Sequence, residues 1–291
     1  MVDEDRVFVP ESGGEGVPLF EARDLPQDEE SLLDERFHDA EAPIYQSYCD
    51  IPRTRISERW LLDWILDRTP RGVVLDLGSG TGRVAAHLAS PARRVIAVDR
   101  SHGMLEFARG SLPDRHAVAL RADVRHLPIR DASVDAVICS GVLHHLPDWR
   151  GALAEAARVL APGGTLIVRE PNASYAAGLF EPLEKLMGLV AQPRCPGTEA
   201  SDPDDREGRE GLSPVEQPMD PTELLEAARS SGFSTRFVGS AMFFGSLGIP
   251  GESPTQELYF RPANLLDRLV LNVRPHLRGA LLLTVLARQE R

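Results

Sequence analysis

Three cysteines, Cys49, Cys139 and Cys195, are too few and too irregularly spaced for a disulfide framework or a metal site. A reducing compartment, the cytoplasm, is therefore expected. No apolar run approaches the roughly 20 residues that cross a bilayer. The acidic start from Met1 to Arg6 is followed by no apolar segment of a secretory signal. Neither a membrane role nor export is expected. Basic charge is also scarce: 32 Lys and Arg against 44 Asp and Glu leave a net charge of −12. That sign argues against a nucleic-acid partner, which calls for a basic face. Lys185 is the only lysine, which reads as the codon bias of a GC-rich genome and says nothing about mechanism. No internal repeat is visible.

The chain of 291 residues has room for one large domain, or for a domain with substantial additions. Its organising stretch runs from Val73 to Arg83. Val73-Val74-Leu75-Asp76-Leu77 is almost continuously apolar and reads as a strand buried on both faces. Gly78, Gly80 and Gly82 supply a tight turn and let a ligand approach the backbone. A helix opens after Arg83, with its free N–H groups and dipole facing the loop. Such a strand–loop–helix cradles a nucleotide-like ligand. In the dinucleotide fingerprint the third small residue comes three positions after the second glycine. Here Gly82 comes two positions after Gly80.

Asp76-Leu77-Gly78-Ser79-Gly80-Thr81-Gly82 resembles motif I of the class I S-adenosylmethionine-dependent methyltransferases. Asp76 can accept from an α-ammonium or fix the loop's own N–H groups. A second buried strand, Arg94 to Asp99, ends in an acid close to the roughly 20-residue interval at which a carboxylate meets ribose hydroxyls. Ser101-His102-Gly103-Met104-Leu105 is similar to the family's usual sequel to the acid, and the resemblance adds Arg100 and Met104 to the cofactor set. A third strand, about Ala117 to Ala122, leads to Asp123 and Val124. Family members place an acid here against the adenine amine and the neighbouring backbone N–H on a ring nitrogen. The run Ala122 to Val137 is similar to the small-molecule subgroup of the superfamily, which includes natural-product, sugar and quinone-like methyltransferases. Arg158-Val159-Leu160-Ala161-Pro162-Gly163-Gly164 is a further match.

The resemblance implies an α/β, Rossmann-like fold: a mostly parallel seven-stranded sheet with an antiparallel last strand and helices on both faces. Residues 1–30, rich in Glu, Asp, Gly and Pro, are expected to form a flexible arm. Residues 31–70 are expected to form a helical cap, with a short helix from Ser31 and an amphipathic helix from Ile56 to Leu66. The methyltransferase domain then spans 71–291. Within it, 173–190 reads as a helix, and an insertion over 172–220 reads as a lid or as disorder. A second insertion, 240–279, walls the substrate pocket or forms the surface of a homodimer. Leu281 to Ala287 reads as the last strand, inserted between the fifth and sixth.

Open α/β sheets bind ligands at the carboxyl ends of their strands, so Ser140, Gly141, His144 and His145 border the site. Methyl transfer is an in-line displacement that gains most from positioning, and a protonated acceptor also needs a base. His144, His145 and, after the fifth strand, Glu170 are the candidates. Either histidine could equally orient the cofactor loop. Tyr45 and Tyr48 could reach over the cofactor. Two adjacent histidines and scattered acids form no metal-ligand set. The implied activity is S-adenosylmethionine-dependent O-methylation of a small-molecule acceptor in specialised metabolism. N- or C-methylation, a nicotinamide-dependent oxidoreductase and a catalytically silent S-adenosylmethionine-binding protein remain alternatives.

Overall fold

The computed structural model describes residues 7–8, 17–49, 52–113, 115–174, 217–241, 265 and 281–289. The apolar runs seen in the sequence become the central strands: β3 (Gly72–Leu77), β4 (Arg93–Asp99), β5 (Ala117–Arg121), β6 (Val134–Ser140) and β7 (Leu160–Pro171). These five pair parallel in the order β5-β4-β3-β6-β7. β9 (Leu281–Arg288) lies antiparallel between β7 and β8 (Phe233–Ala241), as the resemblance implies.

The strands alternate between two cores, because successive side chains point to opposite faces. On one face Leu75, Leu77, Val137 and Cys139 pack with Leu153 and Ala156 of α5 (Trp149–Val159) and Leu224 of α6 (Pro221–Ser230). On the other, Val74, Val95 and Ile138 meet Trp60, Leu61, Trp64 and Ile65 of α2 (Pro52–Arg68). α3 (Arg83–Leu88) and α4 (His102–Ser111) lie on that second face. Leu75 and Leu61 are at most 2% exposed. Each such side chain contributes about 1.5–3 kcal/mol by leaving water.

Three details differ from the sequence reading. The sheet has nine strands among the described residues, two more than expected, because part of the N-terminal arm joins it. β2 (Leu19–Ala22) pairs parallel with β5, and β1 (Val7–Phe8) pairs antiparallel with β2. Val17 is fully buried, and its carbonyl accepts from buried Arg109 Nε at 2.8 Å. The physical reason is the edge of β5, whose unpaired backbone groups take an added strand. Secondly, α1 (Glu29–Cys49) is far longer than a short helix and runs through Pro43. Its Asp39 carboxylate accepts from Gly103 N and Ser101 Oγ at 2.8 and 2.6 Å, which ties it to the start of α4. Thirdly, β7 begins at Leu160, opposite Val134, and resumes at Thr165 opposite Ala136, with 161–164 bulging between.

The expected helix 173–190 lies almost wholly outside the described residues, as do most of the insertions 172–220 and 240–279 and the Tyr48 side chain. No described helix is long and apolar enough to cross a membrane.

Candidate active site

A cavity of ≈ 460 Å³ opens at the carboxyl ends of β3, β4, β5 and β6, roofed by α1. The loop after β3 is held by its neighbours. Gly78 has φ +63, and a Cβ there would stand 2.3 Å from Val142 Cγ2. Gly82, at φ +80, caps α3, where a Cβ would lie 2.9 Å from Ala108 Cβ. Both positions call for glycine on two counts, conformation and space. Gly78 and Gly80 line the cavity, whereas Ser79 and Gly82 sit behind it.

The first acid turns away from the cavity. Asp76 is 1% exposed, does not line the cavity, and accepts from Ala85 N at 2.9 Å. Burial pushes its carboxyl up to about 7, against the Ala85 hydrogen bond and helped by the nearby charge of Asp99. Its hydrogen bond to Ala85 N braces the loop–helix junction, one of the two roles expected of it. Asp99 does line the cavity. Its oxygens accept from Gly80 N at 2.8 Å and Ser101 N at 2.9 Å, and burial raises its pKa. An ionised carboxylate offers about four lone-pair positions, so two remain.

Asp123 lines the cavity with Val124, but its acceptor positions are filled. Oδ1 accepts from Arg125 N and Nε at 2.8 and 2.9 Å. Oδ2 accepts from Arg125 Nη2 at 2.7 Å and Arg100 Nη1 at 3.2 Å. Burial alone would raise the Asp123 pKa; the Arg125 hydrogen bonds outweigh it and hold the carboxyl low. Arg100, which also lines the cavity, donates through Nε to Glu35 of α1 at 3.0 Å, and Arg121 pairs with the other oxygen of Glu35. Arg125 also donates to Ser31 Oγ of α1 at 2.7 Å. The roof is thus fastened to the ends of β4 and β5 by ion pairs. Met104, Ser140 and Gly141 line the cavity, and the buried Ser140 Oγ has no partner among the described residues.

After β6 the chain makes a short 3₁₀ turn, Leu143–His145, and both histidines line the cavity. Glu170 does not reach it. It is fully buried; Oε1 accepts from Val142 N and Leu143 N at 3.0 Å each, and Oε2 meets His144 Nδ1 at 2.7 Å. Both its oxygens turn under the strand end and hold this turn and the His144 ring. The His145 ring lies 3.9 Å from that of His144 and 5.2 Å from that of His38. Burial pushes the His145 pKa down to about 3, with His144 and His38 adding to the effect.

The sequence suggests a helical cap and Tyr45, but not the other residues that line the cavity from α1: Asp34, Phe37, His38 and Glu41 stand there with Tyr45. Apart from Phe37 they follow i, i+4, i+7, i+11 spacing, one helical face. The face is mostly polar, so apolar periodicity does not reveal it; the Asp-x-x-x-His spacing was the available signal. Burial lowers the His38 pKa, but hydrogen bonds to Asp34 and Glu41 outweigh it and lift the group to about 10. Arg169, also unforeseen, lines the cavity from β7, and Glu58 of α2 pairs with it at 3.7 Å and with Arg83.

Residues 75–168 match the family model described as a methyltransferase domain. An uncharacterised methyltransferase of Mycobacterium tuberculosis is 42% identical over 132 residues, covering 45% of this chain and 53% of that protein. A malonyl-[acyl-carrier protein] O-methyltransferase of Geobacter sulfurreducens is 34% identical over 149 residues, covering 47% and 55%. The chain spans about half the length of the curated relatives it matches. Among solved structures, an S-adenosylmethionine-dependent methyltransferase of Thermotoga maritima superposes with a TM-score of 0.55 at 19% identity, covering 88% of this chain and 100% of that one. That likeness speaks for the fold alone. The strand order and the glycine loop agree with these matches, which show that residues 75–168 are similar to a methyltransferase domain.

Proposed function

We propose that this protein is an S-adenosylmethionine-dependent methyltransferase that methylates an oxygen of a small-molecule acceptor, with His144 as general base. One observation carries the reading: His144, braced by a fully buried glutamate, shares a cavity with the glycine loop and Asp99. The residues present fit the cofactor. Gly78 and Gly80 leave the loop backbone open to a ligand, Asp99 keeps acceptor positions for a diol, and the orphaned Ser140 Oγ is a donor and acceptor for the amino-acid end. Met104 and Val124 supply apolar contact for the adenine. An adenine amine reaching Asp123 takes the place of one arginine hydrogen bond.

When bound, S-adenosylmethionine supplies an electrophilic methyl group on a sulfonium. The chain's part is to orient the acceptor and take its proton. With Glu170 Oε2 as the acceptor, the His144 tautomer carries its proton on Nδ1. The Nε2 lone pair is then the base, and the proton of an acceptor hydroxyl moves to it. Glu170 positions His144 and touches nothing that reacts. The α1 side chains Phe37 and Tyr45 bound the acceptor space. The O-methyltransferase name of the Geobacter relative supports oxygen as the atom methylated.

Calorimetry with S-adenosylmethionine, S-adenosylhomocysteine and NAD tests the donor, and mass spectrometry of an acceptor panel tests the transfer. Binding of NAD without S-adenosylmethionine overturns the reading. Binding of S-adenosylmethionine with no methylated product from hydroxyl-bearing acceptors removes the O-methyl assignment.

A further inference from the structure

Asp34 and His38 of the α1 roof and His145 of the 3₁₀ turn bring one potential ligand atom each to within 4.8 Å of one another, the one such grouping of metal-ligating side chains among the described residues. All three line the cavity. His38 Nε2 stands 3.5 Å from Asp34 Oδ1. Two ligands of a tetrahedral ion, bound at about 2.1 Å, stand about 3.4 Å apart. The other nitrogen of that ring, Nδ1, faces Glu41 Oε2 at 3.5 Å. A carboxylate on the far nitrogen is the arrangement that orients metal-bound histidines and strengthens them as donors. His145 adds an independent sign: its Nδ1 is buried and has no hydrogen-bond partner among the described residues. A buried imidazole nitrogen left without a partner costs free energy that a ligand can recover.

We propose that Asp34, His38 and His145 form a binding site for a divalent transition-metal ion of the zinc class, with Glu41 orienting His38. Two imidazoles and one carboxylate select such an ion over magnesium or calcium, which prefer all-oxygen sets. Three protein ligands leave a coordination position open, as in sites that take a water or substrate oxygen. The three residues line the same cavity as His144. Binding would release the proton on His38 Nε2 to solvent, and the ion would couple the roof to the floor, since α1 and the 3₁₀ turn each contribute ligands.

The test uses the full chain without a polyhistidine tag, titrated with Zn²⁺ by calorimetry and with Co²⁺ by visible absorption. One ion per chain is expected, with cobalt bands of a low-coordinate, nitrogen-ligated site that Zn²⁺ abolishes. His38→Ala and His145→Ala should abolish this binding. Glu41→Gln should weaken it by about 10- to 100-fold. His126→Ala, at an exposed histidine elsewhere, should leave it unchanged. Far-UV circular dichroism checks that the variants fold. Absence of one-to-one binding to the wild-type chain overturns the proposal without any variant. Binding that survives both histidine substitutions overturns it as well. No acceptor or S-adenosylmethionine is present in these titrations, so failure of the metal site and failure of the methyltransferase reading are separate results.

Discussion

Asp76 offers the sharpest test of the structure's electrostatics. It is buried behind the glycine loop, with its carboxyl raised from 3.8 to about 7 mainly by burial. A group whose folded-state pKa exceeds its unfolded value holds its proton in the folded chain after the unfolded chain has released it. Its contribution to stability is present in full below the unfolded pKa and is lost as pH rises through the folded pKa. At 1.36 kcal/mol per unit, a rise of about three units is worth roughly 4 kcal/mol, of which about 3 kcal/mol falls between about pH 5 and about pH 8.5. Asp76→Asn removes the titration and keeps an oxygen for Ala85 N. Urea unfolding of both proteins, followed by circular dichroism, should show the variant gaining on the wild type by about 3 kcal/mol across that range. Asp99, also raised by burial, titrates in both proteins and largely cancels in the comparison. A stability gap that stays constant with pH would refute the argument and mean that Asp76 is solvated or charge-paired.

Four further outcomes are expected. Asp99→Asn sets an amide group against Gly80 N or Ser101 N and weakens a diol contact, so S-adenosylmethionine affinity should fall by about 1–3 kcal/mol, roughly 5- to 150-fold, by calorimetry. His144→Ala should lower kcat by about 10²–10⁴-fold with cofactor affinity kept. Glu170→Gln should lower kcat while leaving the KM for the acceptor close to wild type. Full turnover in both would remove the general base proposed here. Arg125→Ala frees acceptor positions on Asp123 and should tighten cofactor binding by about 1 kcal/mol, about five-fold; weaker binding would show that Arg125 serves the ligand directly.

The central strands were legible because burial on both faces leaves almost continuous apolar runs, and Val73 to Leu77 and Arg94 to Asp99 both show it. Asp99 and the glycine loop were equally legible, because a tight turn at a strand end restricts which residues fit. The edge strand β2 was not. Its short run sits in an acidic, Gly-rich stretch, and pairing with β5 rather than propensity makes it a strand. The length of α1 was hidden for a related reason. Its cavity-facing stripe of Asp34, His38 and Glu41 is polar, and Pro43 looks like a helix end, yet ion pairs and hydrogen bonds to β4, β5 and α4 hold it.

Apolar patterning and turn chemistry are local properties, and with the motif resemblance they determined the central strands, the loop at the mouth of the sheet and the crevice beside it. The direction in which an acid points is not local. Asp76, Asp99, Asp123 and Glu170 all read as strand-end carboxylates, but Asp76 caps backbone behind the loop, Asp99 keeps a face on the cavity, Asp123 is saturated by two arginines, and Glu170 lies under the turn it holds. Only the tertiary structure decides among these. Each carboxylate settles on the donors that distant segments bring within reach, and burial then sets whether its charge survives.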